Sequence, residues 1–219
     1  MKIDIFYCHY PQILLSNNWA RLIQQIPEFL HAPILRYVNW SDRQNSLLSR
    51  LLLKQALIQN GFSPDLLMQY PTKPHQRPQL SPLFDINLSH SQHAAICAIS
   101  LSGKIGIDIE YHRALEVESF QRIFTAQQWH SLQQKKTNNL PLFYQFWTLK
   151  ESVAKADGRG LGIDLARIEE NPAGQVEIDR HIWFVQSLAL KLPYYSCYLA
   201  SDHQAEIVIK EYSITDFLS

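Results

Sequence analysis

The chain has 219 residues, 46% of them hydrophobic and 18% charged, enough for one large domain or two compact ones of roughly 100 residues each. Its 20 basic and 20 acidic side chains cancel, which excludes a global field that would hold it on nucleic acid or on an anionic membrane. Any polyanionic ligand must be met by local basic groups.

The N-terminus, MKIDIFYCHY, lacks an apolar stretch of signal-peptide length, and no segment approaches the ~20 apolar residues of a membrane span. The three cysteines, Cys8, Cys97 and Cys197, are widely spaced and form no CxxC pair. They read as buried free thiols of a cytoplasmic protein with no membrane association.

Residues 2 to 8 pattern as a first strand, and Trp19 to Phe29 has helical spacing of apolar residues before Pro33 interrupts. Ser41 or Asp42 can cap a helix whose Leu47, Leu48, Leu51, Leu52, Ala56 and Leu57 run to a stop at Asn60-Gly61. The proline-rich stretch 70–82 predicts a loop, and FDINLSHS and HAAICAIS predict two strands of a half-buried sheet.

KIGIDIEY opens the second half as a strand with Ile105, Ile107 and Ile109 on one face and Gly106, Asp108 and Glu110 on the other. A polar loop near Lys135 to Asn139 leads to a helix from Leu142 to Asp157, ended by Gly158. Strand-like pieces follow around 174–190 and 194–200. A shift of about a hundred residues superposes helix-then-hairpin on helix-then-hairpin, a weak echo. The expected architecture is α+β: two pseudo-twofold subdomains, 1–100 and 101–219, each a long helix on a small antiparallel sheet, with the active site in a cleft between them.

Asp108 and Glu110, at i and i+2, project from one strand face with backbones roughly 6–7 Å apart, near enough to converge on a cation. Mg²⁺ is a hard ion that takes carboxylate oxygens and keeps substrate phosphates and waters in its shell. By spacing alone, an edge strand with solvated acids is the commoner explanation. In FWTLKESVAKADGRG, Trp147, Glu151 and Lys155 share one helix face. A Glu–Lys pair four apart is also an ordinary exposed pair, but flanking Trp147, Val153 and Ala154 do not suit a solvated face. Ser89 and His90, placed just after a strand in LSHS, could meet a phosphate, and so could Lys73 beside Pro74; singly, each is an ordinary structural or surface residue. A metal-dependent phosphodiesterase or nuclease would also use clustered acids and a lysine.

IGIDIE followed by FWTLKESVAKADGRGL, with LSHS and the TKP step upstream in the same order, resembles the signature blocks of the 4'-phosphopantetheinyl transferases. The similarity is to the larger, monomeric, surfactin-synthetase-activating type and covers nearly the whole chain. The resemblance implies transfer of the phosphopantetheine arm of coenzyme A (CoA) to a serine of an apo acyl or peptidyl carrier protein. It implies Asp108, Glu110 and Glu151 as Mg²⁺ ligands, with Glu151 and Lys155 catalytic. It places Lys73, Pro74, Ser89, His90, Asp108 and Lys155 on CoA. The sequence departs from the family on its first long helix, where Asn45 replaces an arginine expected at the CoA 3'-phosphate; Arg36, Arg43 and Arg50 are the possible substitutes. That departure admits a third reading, a non-catalytic carrier-binding module that kept the fold. Arg113, Arg122, Lys150 and Arg159 are candidates for a carrier-docking patch.

Overall fold

The structure, a computed structural model, describes residues 1–10, 13–72, 77–135 and 139–218. The chain divides into two compact units, one made of residues 1–102 and 205–219 and the other of residues 103–204. The fold is α+β, with two four-stranded sheets.

Unit one begins with β1 (Lys2–His9), continues through α1 (Ser16–Ile23), α2 (His31–Leu35) and α3 (Trp40–Gln59), and adds the hairpin β2 (Asp85–Ser91) and β3 (Ala94–Ser100). The helical stretch expected from Trp19 to Phe29 breaks after Ile23, short of Pro27, while Pro33 lies in the first turn of α2, where its missing N–H costs nothing. In β1, Ile3, Ile5, Phe6 and Cys8 are all fully buried, and such two-sided burial explains its nearly continuous apolar run. One face, with Phe6 and Cys8, joins Leu48, Leu51, Leu52 and other α3 leucines in a single core. Fully burying each such leucine stabilises the unit by about 1.5–3 kcal/mol.

Unit two consists of β4 (Ile105–Tyr111), α4 (Ala126–Gln134), α5 (Leu140–Asp157), β5 (Gln175–Ile178), β6 (His181–Ser187) and β7 (Tyr195–Ser201). Helix α4, absent from the sequence expectation, starts at a capping box in which Thr125 and Gln128 satisfy each other's backbone N–H groups. Pro141 stands in the first turn of α5, and Gly158 closes that helix in the left-handed region. The sheet order is β4-β7-β6-β5, antiparallel throughout. Its core combines Leu149, Val153 and Ala156 of α5 with Val176, Trp183 and Ala200 of the sheet.

The repeat legible in the sequence has a topological counterpart. Strand β3 lies beside β1, the opening strand of unit one, and β7 lies beside β4, the opening strand of unit two. The last segment departs from the expected division at residue 100. Strand β8 (Glu206–Tyr212), assigned by the sequence reading to the second half, pairs in parallel with β1 and completes the order β2-β3-β1-β8. Phe217 then enters the core of unit one. Among the described residues no helix is long and apolar enough to cross a membrane.

Candidate active site

The site of unit two begins at a glycine. A Cβ built on Gly106 would overlap the Ser152 carbonyl oxygen and the Ala156 nitrogen, so β4 lies against the backbone of α5. Alternation then directs Asp108 and Glu110 to the same face as Gly106, towards α5. Their register partners on β7 are Tyr198 opposite Asp108 and Ser196 opposite Glu110. Ile105, Ile107 and Ile109 fill the other face and are fully buried.

Along this seam α5 presents Lys155 and Glu151. Lys155 Nζ donates to Asp108 Oδ1 at 2.6 Å and to the Ile107 carbonyl at 3.3 Å. Asp108 is only 4% exposed, and an opposite charge at this distance offsets much of the cost of burying its carboxylate. Burial pushes the Glu151 carboxyl above the usual glutamate range; the Asp108 charge adds to the rise and Lys155 opposes it. Glu151, Asp108 and Lys155 thus form one electrostatic cluster. The pairing is more specific than the Glu151–Lys155 contact expected from helix spacing, because Lys155 reaches across to the strand.

Glu110 is half-buried, two residues further along the strand, and its charge is felt by Tyr144 of α5. Burial pushes the Tyr144 phenol upwards, and the Glu110 charge adds to that shift. Tyr144 donates its hydroxyl to the Arg113 carbonyl at 3.0 Å and stacks on His112, ring centroids 5.2 Å apart at 12°. His112 Nε2 lies 2.9 Å from Ser196 Oγ. Sequence reasoning singled out none of Gly106, His112, Tyr144 and Ser196. The one available signal was Tyr144 preceding Glu151 by seven residues, two helical turns on the same face.

Among the described residues no group of three or more His, Cys, Asp or Glu side chains is arranged to hold a metal ion by itself. The donor chemistry nevertheless suits Mg²⁺, which is commonly held by one or two carboxylates with substrate phosphates and waters filling the shell. The Asp108 charge raises the cost of ionising Glu151, and a cation offsets that cost.

In unit one, Ser89 and His90 belong to β2, so His90 lies within the strand instead of just after it. Ser89 is buried and His90 exposed. Lys73 and Pro74 lie outside the described residues. Asn45 is a buried structural node: Tyr10 donates its hydroxyl to Asn45 Oδ1 at 2.5 Å, and Asn45 Nδ2 donates to the Gln92 carbonyl at 2.9 Å. It thereby holds the end of β1 and the β2–β3 turn, where Gln92 has a positive φ, to α3. Arg50 donates to the Ser46 carbonyl and hydroxyl and covers the Tyr70 ring, and Arg43 donates to the Tyr37 carbonyl. Arg36 is exposed.

Two docking candidates are corrected by their surroundings. Lys150 is fully buried, with its ammonium donating to the carbonyls of Leu165 at 2.8 Å and Ile168 at 2.7 Å, so it offers nothing to a partner's surface. Arg159 is exposed but already engages Asp157 and Asp179. Arg113 and Arg122 are exposed.

Comparison with known proteins places this seam in a family. The sequence model of the "4'-phosphopantetheinyl transferase superfamily" matches residues 104–215, which include β4, α5 and their carboxylates. The chain is 33% identical over 166 residues to 4'-phosphopantetheinyl transferase gsp of Aneurinibacillus migulanus, covering 74% of this chain and 69% of that one. It is 30% identical over 184 residues to 4'-phosphopantetheinyl transferase Sfp of Bacillus subtilis, covering 82% and 81% respectively. With 4'-phosphopantetheinyl transferase psf-1 of Bacillus pumilus the identity is 26% over 214 residues, 93% of this chain and 82% of the relative. The chain belongs to the 4'-phosphopantetheinyl transferase superfamily and is an enzyme of that class. Similarity to Sfp and psf-1 over most of its length makes it Sfp-like, and nothing favours the nuclease or non-catalytic readings.

Proposed function

We propose that the enzyme takes the 4'-phosphopantetheine arm from CoA and attaches it to a serine of an apo acyl or peptidyl carrier protein, releasing adenosine 3',5'-bisphosphate. The observation that carries the assignment of residues is the charged seam in which Lys155 binds Asp108 at 2.6 Å while Asp108 and Glu151 repel each other. Asp108, Glu110 and Glu151 would hold Mg²⁺, which when bound supplies positive charge to the pyrophosphate. Ser89, His90, Lys73 and Pro74 would contact CoA as the family resemblance implies.

In the reaction, the serine Oγ forms a bond to the β-phosphorus of CoA while the bond from that phosphorus to the bridging oxygen breaks. Glu151, the half-buried carboxylate of the seam, accepts the serine proton. Lys155, half-buried and already on the seam, offers its ammonium to the departing phosphate. The enzyme acts as a monomer in the cytoplasm. Support for a reducing compartment comes from Cys8, Cys97 and Cys197, all buried and free.

Intact-mass measurement on apo carrier proteins incubated with enzyme, CoA and Mg²⁺ tests the proposal. A phosphopantetheine mass gain is expected with wild-type enzyme and none with Asp108→Asn or Glu151→Gln, each still folded by circular dichroism. No gain on any carrier would overturn the function, and full transfer by either variant would overturn the residue assignment.

A further inference from the structure

Strand β4 ends at Tyr111, one residue beyond Glu110, and a carboxylate this close to a strand end needs something to fix the backbone beneath it. The structure supplies a latch made from three elements. His112 continues the alternating row of Gly106, Asp108 and Glu110. Its Nε2 meets Ser196 Oγ at 2.9 Å, and Ser196 is the β7 residue directly opposite Glu110. One face of the imidazole lies against the Tyr144 ring in a near-parallel stack. Tyr144 in turn donates to the Arg113 carbonyl at 3.0 Å, and the His112 backbone N–H donates to the Tyr194 carbonyl at 2.7 Å. The chain leaving β4 is therefore held by α5 through Tyr144 and by β7 through Ser196 and Tyr194.

We infer that His112 is a positioning residue for Glu110: its imidazole, fixed between Ser196 and Tyr144, sets where the Glu110 carboxylate stands on the α5 side of the sheet. The inference rests on the proposed role of Glu110 in binding Mg²⁺. Groups that orient a metal-binding carboxylate without touching the metal commonly change its affinity or activity by about 10–100-fold when removed. Two weak interactions suffice here because they act from different directions. The stack restrains rotation of the strand end away from α5, and the hydrogen bond restrains its separation from β7.

Transfer rate as a function of Mg²⁺ concentration, measured together with kcat, KM for CoA and the thermal midpoint, tests the latch. The variants are His112→Ala, His112→Phe, Ser196→Ala, the His112→Phe/Ser196→Ala pair and Glu110→Gln. His112→Phe retains a ring against Tyr144 and loses only the bond to Ser196. The expected result is about a tenfold rise in the Mg²⁺ needed for half-maximal rate in His112→Ala, with smaller rises in His112→Phe and Ser196→Ala. The double variant should be no worse than the poorer single one, because both remove the same bond. A lowered thermal midpoint with the Mg²⁺ response and kcat unchanged would reduce His112 to a structural role and overturn the inference. Should His112→Ala fail to fold, His112→Phe and Ser196→Ala decide the same question. Glu110→Gln separates the two levels: wild-type transfer and Mg²⁺ response in that variant sinks the role of Glu110 itself, and the inference with it. A damaged Glu110→Gln beside normal His112 and Ser196 variants sinks the inference alone.

Discussion

Gly106 shows how one residue sets the geometry of the charged seam. Without a side chain at this position, β4 approaches α5 until backbone meets backbone, which brings Asp108 within reach of Lys155. Gly106→Ala should lower stability by about 1–3 kcal/mol, since neither Ser152 nor Ala156 can give way without moving the helix backbone. Transfer should fall in the same variant because the seam opens. Denaturant midpoints and initial rates measure the two effects, and an alanine variant as stable as wild type would contradict the close packing. The glycine was visible in the sequence as part of an alternating strand, but alternation says only which face it occupies. That a helix backbone lies against that face is a tertiary fact. Asn45 offers the converse lesson. The sequence marked it as a departure from the family, while the fold gives it a task of its own, binding Tyr10 and the Gln92 carbonyl in a buried site. Asn45→Ala should cost about 1–3 kcal/mol by leaving these groups unsatisfied, read as a shift in the urea midpoint.

At the scale of elements, α5 divides its labour between two faces. Glu151 and Lys155 meet β4, while Lys150 points into the interior, where it ties the helix to the carbonyls of Leu165 and Ile168. Gln128 of α4 also donates to the Ile168 carbonyl, at 3.1 Å, so α4, α5 and the 165–168 segment converge on one polar knot. Burial lowers the pKa of Lys150 to about 7, with the charges of Glu169 and Asp164 opposing the shift. Below about pH 7 the lysine is charged in both folded and unfolded chains, and the burial cost is felt in full. From there up to the ordinary lysine range the unfolded chain holds a proton that the folded one has released, so this residue makes stability rise with pH. Lys150→Met should remove that contribution. Urea titrations from about pH 7 to about pH 10 should show wild type gaining on the variant as pH rises, and a constant difference would mean that Lys150 keeps an ordinary pKa. Helix periodicity located α5 well because its apolar and charged residues recur locally. It gave no warning of Lys150, whose burial depends on carbonyls fifteen or more residues away.

For the molecule as a whole, the chain crosses from one unit to the other and returns. Residues 205–219 belong with β1, from the pair Lys2–Glu206 to the pair Cys8–Tyr212, and Phe217 is buried in unit one. Arg21 and Gln25 from the α1 region donate to the carbonyls of Leu218 and Phe217, closing the segment down. Removing 205–219 should therefore expose the edge of β1 and loosen α1. Hydrogen exchange should show the first loss of protection in β1, and a first loss in β5, β6 and β7 would refute this assignment of the segment. The amino-acid sequence by itself determined the long helices, the opening strand of each unit and the carboxylate face of β4, because side-chain periods of 3.6 and 2 are properties of neighbouring residues. The family signature was equally local, carried by IGIDIE and FWTLKESVAKADGRGL. Only the tertiary structure decided that Lys155 binds Asp108, that Lys150 and Asn45 are interior anchors, and that the last strand rejoins the first. Each of these depends on groups distant in sequence meeting where water is excluded, and there a buried charge or amide is tolerated only with a partner that no local pattern can name.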